Sequence, residues 1–167
     1  MFPARTTRLT LLLPMLLGAG CASRQSVSAR LGEVKSSAEL FARSVAEEVT
    51  RQGPAAWQGL FQDSPSFFMA ADGRLQFPDG AAGQAGIPAL TRTIKRIELQ
   101  WGKDLKVDPL TEHLAMIGTS WHEVLTLANG NRLDTSGYFT GLAENRNGRW
   151  QFRNAHWSTV NPSRVPN

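Results

Sequence analysis

Two Asn-Gly pairs constrain this chain more than any other feature. Asn129-Gly130 and Asn147-Gly148 each separate long runs of strand-forming residues. Asn-Gly suits the tightest hairpin turns, whose central residues take positive φ. The pairs predict consecutive antiparallel strands over 114–127, 132–143 and 149–160, after a strand within 98–110 that bends near Gly102. The N-terminal half has a different texture. Ser36-Ser37-Ala38-Glu39 has the spacing of a capping box, and Leu40, Phe41, Val45 and Val49 recur behind it at helical intervals. Pro54 can open a short second helix carrying Trp57, Leu60 and Phe61. Residues 66–70 and 75–77 predict a small hairpin around Ala71-Asp72-Gly73. The Gly- and Ala-rich segment 78–86 reads as a loop, and Ile87, Leu90, Ile94 and Ile97 predict a third helix. Helices followed by a meander define an α+β domain, with N-terminal helices packed on one face of an antiparallel sheet.

The first two dozen residues carry a separate message. Arg5 and Arg8 precede the apolar run Leu9–Leu17, and Gly18-Ala19-Gly20 leads into Cys21, the only cysteine. A basic start, a short apolar core and small residues before a cut site form a secretory signal. The run is shorter than the roughly 20 residues of a membrane-spanning helix. The end of this segment resembles the lipobox of bacterial lipoproteins, although Gly18 stands where leucine is usual. The resemblance implies acylation of Cys21 and, with Ala22 following, an outer-membrane lipoprotein facing the periplasm. An ordinary secretory signal with an incidental cysteine is the alternative. The chain divides into a signal peptide (1–20), a lipidated tether (21–35), a folded domain (36–162) and a C-terminal tail (163–167). The net charge of +4 falls to about +2 once the two leader arginines are removed, and no Lys/Arg run appears, so no nucleic-acid partner is expected.

The C-terminal third contains Gly137-Tyr138-Phe139-Thr140, the turn Asn147-Gly148-Arg149-Trp150, and the closing His156-Trp157-Ser158. These segments, with the order of helices, small hairpin, helix and long strands, resemble SnoaL-like domains of the nuclear-transport-factor-2-like superfamily. The resemblance implies a cone-shaped fold. It implies no single activity, because the family includes isomerases, cyclases, dehydratases and association domains.

Strand alternation assigns faces. Counting back across a tight turn at Asn147-Gly148 places Trp150, Phe152, Asn154, His156 and Ser158 inward with Gly137 and Phe139. Tyr138, Leu142 and Trp157 fall outside. On the preceding strand, a two-residue turn at Asn129-Gly130 would turn Ser120 and His122 inward. A bulge or a three-residue turn would instead select Trp121 and Glu123, the more hydrophobic set. The ligand-pocket candidates are therefore Trp121, Glu123, Phe139, Phe152, Asn154 and His156, with no catalytic residue assigned. His156 could serve as acid, base or donor, or as a structural histidine satisfying a buried partner. Glu123 could be a pocket carboxylate whose pKa apolar walls raise, or a rim residue paired with an arginine. The sole tyrosine, Tyr138, faces outward, which counts against the oxyanion chemistry that ketosteroid isomerases imply. The three histidines lack metal-site spacing and no phosphate-binding loop is present, so neither a metal nor a cofactor is expected.

Two functions fit. One is a tethered binding module for a small apolar molecule or an envelope protein, with the outer sheet face suited to a homodimer. The other is a cofactor-independent isomerase, cyclase or dehydratase acting on a hydrophobic substrate.

Overall fold

A computed structural model describes residues 19–160, with side chains from 27 onward. The leader up to residue 18, the tail 163–167 and the Cys21 side chain lie outside the described residues. The elements in order are α1 (Ala19–Gln52), a 3-10 turn (Gly53–Ala56) running into α2 (Trp57–Leu60), β1 (Phe68–Ala71), β2 (Arg74–Phe77), α3 (Gly80–Thr93), β3 (Ile94–Trp101), β4 (Lys106–Pro109), β5 (Leu114–Leu127), β6 (Arg132–Arg146) and β7 (Arg149–Thr159). The strands form one sheet in the order β2-β1-β7-β6-β5-β3, with β4 also pairing β5. The α+β class and the strand positions from 114 onward agree with the sequence.

The sheet is mixed, not antiparallel throughout: β1 runs parallel to β7, pairing Phe68 with Asn154 and Ala71 with Trp157. This pairing joins the small hairpin to the long meander. Asp72 secures the junction, because both oxygens of its carboxylate accept from Thr159, from the backbone N at 2.7 Å and from Oγ1 at 3.0 Å.

Three element assignments need correction. First, α1 runs unbroken through 21–35, so the segment expected to be a tether is helical and no capping box forms at Ser36. The Ser36 and Ser37 hydroxyls donate back to the carbonyls of Gly32 and Val34. Ala38, Phe41, Ala42, Val45 and Val49 make the buried stripe of α1, while Leu40 is 71% exposed. Second, the Gly/Ala segment 78–86 is not a loop. Asp79 caps α3 by accepting from the Ala82 N–H at 2.7 Å, and Gly80 and Gly83 are buried where α3 meets its neighbours. A Cβ at Gly80 would run into the Gln62–Ser64 backbone. Glycine costs helix stability by roughly 1 kcal/mol relative to alanine, and close packing is what these glycines supply in return. Third, α3 stops at Thr93, and Ile94 and Ile97 belong to β3. A helical repeat of apolar residues here straddles two elements.

The hydrophobic core lies between α1 and the inner sheet face, where Phe139 and Phe152 are fully buried. Each such side chain contributes roughly 1.5–3 kcal/mol by leaving water. Two polar contacts fix the position of α1. The Trp101 indole donates to the Ala42 carbonyl at 2.6 Å, and Thr50 Oγ1 accepts from the Leu99 N–H at 3.0 Å.

Candidate functional site

Two local departures from regular alternation decide which side chains reach the interior. The first is the β5–β6 connection. Thr126 pairs with Arg132, the Leu127 N–H donates to Asn131 O, and Gly130 takes φ +86°. Three residues thus make the turn, with glycine in the left-handed position that such loops require. This brings Trp121 opposite Gly137 and Glu123 opposite Thr135. Thr119 and Trp121 are buried while His122 is exposed. The odd-numbered set of β5 faces inward, as its hydrophobicity predicts.

The second departure overturns an expectation. The Asn147-Gly148 turn is a two-residue turn with both φ values positive. Ala143 pairs with Phe152, but Leu142 pairs with Asn154, so Arg153 is an extra residue bulged out of β7. One extra residue reverses the alternation. Trp150 and Phe152 keep the predicted side, whereas Ala155 and Trp157 now turn inward. Asn154 and His156 lie on the outer face, beside Phe68, Met116 and Leu142. His156 therefore does not line the interior cavity, and Trp157 does not belong to an outer apolar patch. Tyr138 and Leu142 do face outward.

The interior cavity is at the end of the sheet away from the Asn147-Gly148 turn. It measures about 160 Å³ and is lined by Pro54, Trp57, Phe61, Met69, Phe77, Leu90, Ile94, Ile97, Glu123, Leu125 and Trp157. Ten of these eleven residues are apolar. Trp157 meets Trp57 edge to face, with ring centres 5.7 Å apart at 86°, and Trp57 stacks on Phe61 at 5.0 Å. Of the six candidates, only Glu123 lines the cavity. Trp121, Phe139 and Phe152 are core, and the Trp121 ring stands at 74° to Trp157, 5.4 Å away.

Glu123 is the single ionisable group in the wall. It is half-buried, and the described residues supply it with neither a hydrogen-bond donor nor a cation. Desolvation alone pushes its carboxyl up to about 7. The arginine partner considered from sequence is not there; Arg96, on β3, pairs with Glu98 instead. Glu123 thus holds a carboxyl that is half ionised near neutrality, against aromatic and aliphatic walls.

Sequence reasoning missed most of the wall. Trp57 and Phe61 were legible as an apolar helical face, but nothing local placed that face over Glu123. Trp157 was hidden by the Arg153 bulge, for which the sequence carries no marker. Among the described residues, no group of three or more His, Cys, Asp or Glu side chains could hold a metal.

No protein-family profile and no curated protein matches the chain. Solved structures do. A nuclear-transport-factor-2-like superfamily protein from Salmonella enterica serovar Typhimurium superposes with a TM-score of 0.61 at 15% identity, covering 84% of this chain and 97% of that one. A candidate scytalone dehydratase from Novosphingobium aromaticivorans gives 0.64 at 12% identity, covering 80% and 89%. A hexachlorocyclohexane dehydrochlorinase, LinA type 2, gives 0.55 at 10% identity, covering 84% and 87%. The chain has the nuclear-transport-factor-2-like fold. Likeness at these identities defines architecture and leaves activity open.

Proposed function

We propose that this chain is an exported, membrane-tethered binding domain that takes a small apolar molecule into the cavity beside Glu123. The observation that carries this reading is the cavity itself, an apolar chamber of about 160 Å³ with one carboxyl in its wall. An apolar cavity of roughly 150 Å³ accommodates benzene, so one ring or a short branched chain fits. The lipobox-like approach to Cys21 supports export and tethering.

The expected result is saturable binding of toluene by the domain, followed by ligand-observed NMR. Leu125→Trp, which fills the chamber, should abolish binding while the variant stays folded. Undiminished binding to that variant would mean the ligand sits elsewhere.

A second reading is favoured by the carboxyl's position near neutrality. A group that titrates close to working pH can take a proton and return it, as a cofactor-independent isomerase or dehydratase needs. The dehydratase and dehydrochlorinase among the structural neighbours lend this some support. Among the described residues no second acid or base lines the cavity, which favours the binding reading over catalysis.

A further inference from the structure

We propose that the natural ligand of this cavity is a cation, an ammonium carried on a small apolar body, held between the Glu123 carboxylate and the aromatic walls. The inference rests on the cavity being a ligand site and specifies what the site selects.

A carboxylate partly withdrawn from water gains from a cationic partner. The described residues supply Glu123 with none. Its cross-strand neighbours are Leu99 on β3 and Thr135 on β6. The elements that close over it contribute only apolar side chains: Trp57 from α2, Met69 from β1, Phe77 from β2, Leu90 from α3, Ile97 from β3 and Trp157 from β7. The titratable residues of these elements are Arg74, Arg92, Lys95, Arg96, Glu98, Arg149, Arg153 and His156, and none of them lines the cavity. Among the described residues, no charge of the protein's own reaches the space beside the carboxylate.

The wall chemistry selects the sign of that charge. Trp57, Phe61, Phe77 and Trp157 approach from α2, the segment following it, β2 and β7. Aromatic faces attract a cation through their quadrupole, and desolvation strengthens the attraction. Trp57 stacks on Phe61 and Trp157 on Trp101, so one face of each ring is already covered and the rings are braced in the wall beside the carboxyl. An anion would meet both the carboxylate and the negative ring faces. A neutral acceptor could engage only the protonated carboxyl and would gain nothing from the rings.

The test compares benzylamine, which stays protonated throughout the working range, with benzyl alcohol, its neutral counterpart, by isothermal titration on the intact domain. Benzylamine should bind more tightly than benzyl alcohol. Its affinity should fall roughly thirtyfold between about pH 8.5 and about pH 5.5, as the carboxylate is lost. Glu123→Gln should remove that pH dependence and weaken benzylamine at least tenfold at the higher pH, while benzyl alcohol binding is little changed. The wild-type pH series stands without the variant. Benzyl alcohol binding as tightly as benzylamine, or strengthening as pH falls, would overturn the cation and leave the apolar cavity as a ligand site. Failure of both compounds to bind would overturn both readings.

Discussion

One side chain accounts for a loss of stability between acid and neutral pH. Glu123 has a folded-state pKa near 7, above the usual value of 4.5. Its neutral form is therefore the one the fold tolerates. Stability from this site is fully present below about pH 4.5 and declines as pH rises through about 7, by up to about 3 kcal/mol. Asp104 and Glu144 act in the opposite sense. The Ser120 hydroxyl and N–H hold Asp104 below the ordinary range, and Arg146 and Gln62 do the same for Glu144. Their contributions are present above the usual carboxylate pKa and are lost in more acid solution. The windows separate, so chemical denaturation at pH 5 and at pH 8 isolates Glu123. The wild type should be more stable at pH 5, and Glu123→Gln should be the more stable of the two proteins at pH 8. A variant with the same pH slope as the wild type would show that another group is responsible.

At the scale of elements, the small hairpin β1–β2 is held by β7, and it contributes Met69 and Phe77 to the cavity wall. Asp72 is the fastening, at φ +48° and with both carboxylate oxygens engaged by Thr159. Asp72→Ala should cost about 1–2 kcal/mol and raise amide hydrogen exchange in 68–77 ahead of the rest of the sheet. Asp72→Asn, which keeps one acceptor and tolerates the left-handed backbone, should lose less. Uniform exchange across the sheet in Asp72→Ala would show that the parallel pairing suffices by itself.

What was legible at this scale follows from how local each signal is. The limits of β5 were readable from local turn signals, and the inward set Trp121 and Glu123 from the hydrophobicity of the alternating residues, against a simple two-residue reading of Asn129-Gly130. The α3 start was misread because glycine propensity points away from helix, and only packing against Ser64 and Phe77 reverses it. His156 was misplaced by one residue of bulge. Register errors do not fade along a strand, so a slip at Arg153 exchanged His156 for Trp157 and changed the apparent chemistry of the pocket.

For the whole molecule, the two ends of α1 have different roles. Residues 38–49 are built into the core, whereas 27–36 are mostly exposed. If Cys21 is acylated, the expected behaviour is membrane retention of the wild type with incorporation of labelled palmitate, and release of Cys21→Ser into the soluble fraction. Absence of label from the wild-type protein would remove the lipid and leave plain secretion.

The length of α1 also has a mechanical consequence. A coil joining a domain to a support lets the domain turn freely, but a continuous helix transmits angle as well as distance. From Ala19 to Ser37 the helix spans about 28 Å, and it is unbroken where Arg30 meets Glu112 and Ser37 meets Trp150. If an anchor holds the N-terminal end of α1, the helix carries the orientation of the domain as well as its distance.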